Sequence, residues 1–244
     1  MNEIHAITFD GDGTLWDFNA AMTSALRDAA ALLTDEGLRY KGRSVSLDFL
    51  KDVREEVAAW PMYAGAQMET IRYASFMEAM TRCGVQAPDL VQRVYDRYMH
   101  TRLMRTELFP DARPVLQQLQ GRYKLAVVTN GNTHPLSMSI APLLDDIVIA
   151  AEVGYSKPDP AIYRLTVQRL GVSAAHALHV GDHPMDDVQA AQHAGMSAVW
   201  LDRRPGPCLP TRAAGMDVIG NLDELPRFLE QRGLAVKDRR GGIR

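Results

Sequence analysis

The chain has 244 residues, 46% of them hydrophobic and 23% charged, which is enough to bury a full core as one large domain or as a core with an insertion. Lys+Arg 27 against Asp+Glu 30 leaves a net charge of −3, which argues against the broad basic surface that nucleic-acid phosphates demand and points to small partners. No apolar run approaches the roughly 20 residues of a membrane span, the distant Cys83 and Cys208 lack metal-ligand spacing, and Met1-Asn2-Glu3 does not open like a signal peptide, so a reducing cytoplasm is the expected compartment.

The apolar run Ile4 to Phe9 predicts a buried strand, and it stops at Asp10-Gly11-Asp12-Gly13-Thr14. From there to about residue 105 the strand character disappears. The spacing predicts helices over 18–34, 46–59, 66–83 and 88–105, punctuated by Gly37, Gly42, Pro61, Gly84 and Pro88. This segment is rich in methionine (Met62, Met68, Met77, Met80, Met99, Met104) and in aromatics (Trp60, Tyr63, Tyr73, Phe76, Tyr95, Tyr98). Core packing between helices is the expected role for most of them.

From about 110 strands alternate with helices, the signature of βαβ units and a parallel sheet. The strand-like runs are Leu125 to Val128, Ile147 to Ala150, Ala177 to Val180 and Ala198 to Leu201, with Val218-Ile219 as a short edge strand. One intervening helix places Ile162, Leu165 and Leu170 on a single face and closes at Gly171, and the next carries Val188 and Ala191 and closes at Gly195. A final helix over Asp223 to Gln231 tolerates Pro226 in its first turn. The basic stretch 233–244 is expected to be frayed.

Polar residues end each principal strand, and in an open parallel α/β sheet the C-terminal strand ends are where ligands collect. Asp10 and Asp12 can converge on one small volume, which requires a cation, a proton or a lysine to offset their repulsion. The run 125–128 ends at Thr129-Asn130-Gly131, where a hydroxyl and backbone N–H groups can hold an anion, although the same tripeptide is an ordinary turn. Lys157, ahead of Pro158 and Pro160, could neutralise carboxylates or pair with a phosphate. Asp182 follows Gly181 directly at a strand end and reads as a metal ligand, whereas Asp186 reads better as a solvated acid at a helix start.

Taken in order, Asp10-Gly-Asp12-Gly-Thr14, Thr129-Asn130-Gly131, Lys157-Pro158 and Gly181-Asp182 with Asp187 resemble the four motifs of the haloacid dehalogenase-like superfamily. The resemblance implies a Rossmann-like α/β core of parallel strands with helices on both faces over 1–17 and 106–232, and an all-helical cap inserted at 18–105. It implies Asp10 as nucleophile, Asp12 as general acid/base, and Mg²⁺ held by Asp10, Asp182 and the Asp12 backbone carbonyl. It further implies Thr129, Asn130 and Lys157 as phosphate contacts and Asp187 as support for Lys157 or the metal's water shell. A carboxylate that attacks phosphorus splits hydrolysis into two steps through an acyl phosphate, so the chemistry of these residues agrees with that implication.

The reading that follows is a Mg²⁺-dependent phosphatase for a small phosphorylated metabolite. A sugar phosphomutase or a 2-haloacid dehalogenase would use the same nucleophile, and Asp12 favours phosphoryl transfer because the dehalogenase branch needs no acid/base there. A phosphonate hydrolase would need a cap lysine, and only Lys41 and Lys51 are on offer. Substrate selectivity is expected from the cap, with Arg54, Trp60 and Tyr63 as open candidates. Monomer and homodimer both stay open.

Overall fold

A computed structural model describes residues 3–64, 66, 68–135, 138–204 and 216–234. Cys208 and nearly all of the basic tail expected to fray lie outside them. The chain divides into two compact units, one formed by Met1–Asp17 with Leu108–Arg244 and the other by Phe18–Glu107.

The first unit begins with β1 (Ala6–Phe9), all four residues of which are buried. The chain then enters the second unit through α1 (Phe18–Asp35), continues through β2 (Arg39–Tyr40) and β3 (Arg43–Ser44), and completes the unit with α2 (Leu47–Ala58), α3 (Met68–Arg82) and α4 (Pro88–Met104). Ser46 caps α2 by accepting from the Phe49 N–H at 3.1 Å, which satisfies one of the otherwise orphaned donors of the first turn. The core of this unit runs through Leu26, Leu33, Leu50, Val53, Phe76, Val94 and Tyr98.

Two features of the helical unit depart from expectation. The β2–β3 hairpin turns on Lys41 and Gly42, both at positive φ, a two-residue turn whose twist matches antiparallel strands. Gly42 had signalled only a break, because Lys-Gly lacks the usual Asn-Gly or Asp-Gly signature. The methionines also differ: Met62, Met68, Met77 and Met104 are exposed, while Met80 is buried. The aromatics do pack, with Tyr73 edge-on to Tyr95 and Phe76 edge-on to Tyr98, each at 5.4 Å between ring centroids. A flexible thioether tolerates an exposed helix face more readily than a large ring does.

The chain returns to the first unit at α5 (Ala112–Leu119), followed by β4 (Lys124–Thr129), β5 (Asp146–Ile149), α6 (Ala150–Val153), α7 (Pro160–Leu170), β6 (Ala177–Gly181), α8 (Ala190–His193), β7 (Ser197–Leu201), β8 (Asp217–Ile219) and α9 (Leu225–Gln231). The sheet order is β5-β4-β1-β6-β7-β8 and every pairing is parallel. Consecutive strands step away from β1 on both sides. The strand order therefore reverses at β1, and the crevice beyond its C-terminal end is the place where such sheets bind ligands.

In α7 the buried face is Ile162, Tyr163, Thr166 and Val167, whereas Leu165 and Leu170 are only half-buried. Periodicity of apolar residues overlooked Tyr163 and Thr166 because both carry hydroxyls. Inside the fold those hydroxyls are satisfied by the Asp186 carbonyl at 2.6 Å and the Ile162 carbonyl at 2.8 Å, which removes the cost of burying them.

The sheet is tied to the loop after β1 by Arg203. Its guanidinium donates to both Asp111 carboxylate oxygens, at 2.8 and 2.9 Å, and to the Thr14 carbonyl at 2.8 Å. Its face covers the Phe109 ring at 4.0 Å, and Asp111 also accepts from the Leu222 N–H at 2.8 Å. A bidentate pair of this kind gives geometric definition as well as energy. Arg203→Ala should cost about 2 kcal/mol in urea denaturation, since the pair is mostly shielded from water. The double variant with Asp111→Asn should cost less than the sum of the single losses, and strict additivity would contradict the coupling.

Candidate active site

The turn after β1 is built around the Gly11 carbonyl, which accepts from the Leu15 N–H at 2.9 Å and the Trp16 N–H at 3.1 Å. The Trp16 ring folds back onto Gly11, where a Cβ would fall 2.2 Å from ring carbon. Its indole N–H donates to Asp12 Oδ1 at 2.5 Å. Gly13 takes φ +90°, and a Cβ there would lie 2.3 Å from Asp182 Oδ2. The two glycines therefore let the Trp16 ring and the Asp182 carboxylate approach backbone that any side chain would block.

Asp10 leaves β1 with its N–H donating to the Val180 carbonyl at 2.9 Å, so its side chain begins at the sheet's central C-terminal edge. The Lys157 ammonium bonds Asp10 Oδ1 on one side and Asp187 Oδ1, at 2.6 Å, on the other. All three side chains are buried. Burial raises the Asp10 carboxyl well above the usual carboxylate range, against the pull of Lys157. Burial also opposes the charge on Lys157, but Asp10 and Asp187 outweigh it and hold the ammonium firmly protonated. At Asp187 burial is again the largest opposing influence, and Lys157 with His179 overcomes it, leaving the carboxyl well below its ordinary value.

Asp187 belongs to a π-helical turn, Pro184–Gln189, that precedes α8. Such wide turns are rare and gather at functional sites. The turn brings the Asp187 carboxylate back to the His183 N–H at 2.9 Å and against Gly181, where a Cβ would sit 2.2 Å from the carboxyl carbon. Asp186 instead lies half-exposed on the turn, beside the His183 ring at 3.6 Å, consistent with the expected solvated acid.

Asp182, at the end of β6, keeps an exposed face, yet partial burial and the nearby Asp187 charge push its carboxyl up to about 6. Asp10, Asp182 and Asp187 each present an oxygen within 4.8 Å of the others. Three carboxylate oxygens so close form a hard, oxygen-only donor set of the type Mg²⁺ takes. Asp187 is committed to Lys157, His179 and the His183 N–H, so Asp10 and Asp182 are the pair with capacity left for an ion.

A family model described as haloacid dehalogenase-like hydrolase matches residues 4–195. The chain belongs to that family. This hydrolase is 33% identical to the phosphoserine phosphatase of Thermus thermophilus over 177 residues, 70% of this chain and 67% of that one. The crystal structure of a 2-haloacid dehalogenase from Pseudomonas syringae pv. Tomato superposes with a TM-score of 0.71 at 29% identity, covering 94% of this chain and 99% of that one. The fold is shared as well with the hydrolase YfnB of Bacillus subtilis, a structure bound to magnesium, at a TM-score of 0.73 and 22% identity over 93% and 99% of the two chains.

The hydrolase brings Asp10, Asp182, Asp187 and Lys157 together, and it places Asn130 differently from expectation. The Asn130 amide spans the Lys157 backbone, accepting from its N–H at 2.8 Å and donating to its carbonyl at 2.9 Å. Asn130 thus holds the lysine loop, and its amide is not aimed at an anion. Thr129 Oγ1 accepts from the Gly131 N–H at 2.9 Å, which leaves its O–H free to donate elsewhere.

Three supporting residues escaped the motif reading. His179 is fully buried, with Nδ1 2.7 Å from Thr8 Oγ1 and Nε2 3.3 Å from Asp187 Oδ1. Burial pushes the imidazole below its ordinary value. Tyr163 stands edge-on to the His179 ring at 4.9 Å, and the Trp200 indole donates to the Asp182 carbonyl at 2.9 Å. His179 alternates onto an apolar strand, and that placement alone gave no sign of its partner eight residues on.

Lys157→Ala should leave Asp10 and Asp187 facing each other in a dry site and cost about 3 kcal/mol at pH 7.5. Without the lysine both acids have folded-state pKa values raised above the unfolded ones. That contribution to stability is full at low pH and is lost as pH rises, so the deficit against wild type should shrink between pH 7.5 and pH 5. A deficit that stays flat or grows toward pH 5 in metal-free urea titrations would show that Lys157 is not the counter-charge.

Proposed function

We propose that this protein is a Mg²⁺-dependent phosphatase that hydrolyses a small phosphorylated metabolite through an aspartyl phosphate on Asp10. The observation that carries the reading is a second carboxylate, Asp12, two residues beyond the buried Asp10 and pinned by the Trp16 indole at 2.5 Å. Attack on carbon to displace a halide needs a nucleophile alone, whereas ester cleavage at phosphorus also needs a proton for the departing alcohol. The Thermus thermophilus relative named a phosphoserine phosphatase supports the same choice.

In the first step an Asp10 carboxylate oxygen bonds to phosphorus as the ester P–O bond breaks, and Asp12 gives its proton to the leaving oxygen. In the second, water attacks the same phosphorus, Asp12 accepts the water's proton, and the acyl-phosphate bond breaks to restore Asp10. With Asp10 Oδ1 tied to Lys157, Oδ2 is the oxygen available for attack. The Lys157 charge and the Thr129 O–H offset charge that builds on the transferring group, and Asn130 acts through the loop that carries Lys157. Asp10, Asp182 and the Asp12 backbone carbonyl would hold Mg²⁺, which supplies neutralisation of the phosphoryl oxygens when bound. The helical unit is assigned the choice of substrate.

Release of p-nitrophenol from its phosphate ester should require Mg²⁺ and stop on chelation. Asp10→Asn should lower turnover by about 10³-fold or more, and Asp12→Asn by about 10²-fold or more. Halide release from a 2-haloacid without metal would favour the dehalogenase instead. Because a proton on Asp182 competes with the cation, Mg²⁺ affinity by calorimetry should be steady above pH 7 and fall as pH drops through about 6. An affinity unchanged at pH 5 would remove Asp182 from the ligand set.

A further inference from the structure

The strand register places a polar pair in an otherwise apolar layer. Thr8 of β1 and His179 of β6 are direct neighbours across the parallel pairing, so both side chains leave the same face of the sheet. Two residues earlier on each strand that face carries Ala6 and Ala177, in a cluster with Val128, Ile162 and Val188. Thr8 and His179 are both fully buried. A valine and a leucine would fill such positions without the cost of burying a hydroxyl and an imidazole, and the two chemical steps above use neither group.

The partners of Asp187 decide where the protons of this pair lie. Asp187 is held ionised and can only accept. Each of its neighbours must therefore donate: His183 through its N–H at 2.9 Å, Lys157 through its ammonium at 2.6 Å, and His179 through Nε2 at 3.3 Å. Burial, aided by the Lys157 charge, outweighs Asp187 and keeps the imidazole neutral, so its one proton is on Nε2 and Nδ1 is bare. The Thr8 hydroxyl, 2.7 Å from Nδ1, is then the donor there, because its other acceptor, the Leu178 carbonyl, lies at 3.5 Å. His179 and Lys157 meet the same oxygen, Asp187 Oδ1. The ring thereby fixes the acceptor on which the ammonium rests.

We propose that Thr8 and His179 are a positioning pair for Lys157. The Thr8 hydroxyl holds His179 as the Nε2–H tautomer, and that N–H sets the Asp187 oxygen that seats the ammonium beside Asp10.

Two measurements on the metal-free full chain read this without any reaction. Nitrogen NMR of isotope-labelled protein at pH 7.5 should show His179 with a protonated Nε2 and a bare Nδ1. The Lys157 ammonium, buried between two acceptors, should give a slowly exchanging N–H signal. His179→Leu and Thr8→Val should shift or broaden that signal, and Thr8→Ser should keep it. Serine loses the packing methyl that valine retains, so a role in packing alone predicts the reverse order. The kinetic arm rests on the phosphatase reading above. With p-nitrophenyl phosphate and Mg²⁺, His179→Leu should lower kcat by about tenfold and Thr8→Val by about threefold, with KM changed by no more than about twofold. In a Lys157→Ala background His179→Leu should lower kcat no further, the signature of a residue that acts through the lysine.

An Nδ1–H tautomer or an imidazolium in the wild type overturns the proposal. So does an ammonium signal that neither variant moves, or a kcat loss for His179→Leu that is as large without Lys157 as with it. If His179→Leu does not fold, the wild-type spectrum and the Thr8 variants still decide. Failure of the phosphatase reading looks different, with the ester not turned over while the tautomer and the response of the ammonium signal stand.

Discussion

Burying two carboxylates at the end of a central strand is possible here because one ammonium stands between them. Lys157 bonds the buried Asp10 and Asp187, and the neighbouring structure is arranged to keep it there. Asn130 holds its backbone from the end of β4, and the Lys157–Pro158 bond is cis. On the far side, the π-helical turn, the His183 N–H and the His179 ring fix Asp187. The π turn, the buried histidine and the Asn130 clamp together hold a positive charge beside a buried acid.

The same ion pairing sorts the acids by role. Asp187 is the most heavily donated to and is held ionised, so it serves as a fixed anchor. Asp10 shares the lysine at the C-terminal end of β1, where burial raises its carboxyl. Asp182 retains a solvent-facing side and a raised carboxyl, which suits a ligand that must exchange a proton for a metal. Asp12 accepts from the Trp16 indole N–H. Four aspartates thus differ in burial and charge environment through their partners.

Arginine provides a contrast between the two units. Arg203 bonds Asp111 and Thr14 through Nη1 and Nη2 and covers the Phe109 ring, and it serves to fix the loop after β1. Arg72, more deeply buried in the helical unit, has no hydrogen-bond partner at Nε or Nη1 among the described residues.

Much of this was legible in the amino-acid order. The spacing of apolar residues located the four long helices and the six strands of the parallel sheet, because a period of 3.6 or a short apolar run bounded by glycine and proline directly reflects burial. The strand-end motifs named Asp10, Asp12, Thr129, Lys157, Asp182 and Asp187 because a parallel sheet delivers its C-terminal ends to one crevice. What the order could not reveal were contacts between residues far apart in the chain. Asn130 meets Lys157 across 27 positions and Arg203 meets Thr14 across 189, and nothing in a local pattern encodes such pairs. The motif residues and their strand-end positions were therefore readable from the sequence, while the partner of each acid was decided only by tertiary packing, which determines which charges are buried and with whom.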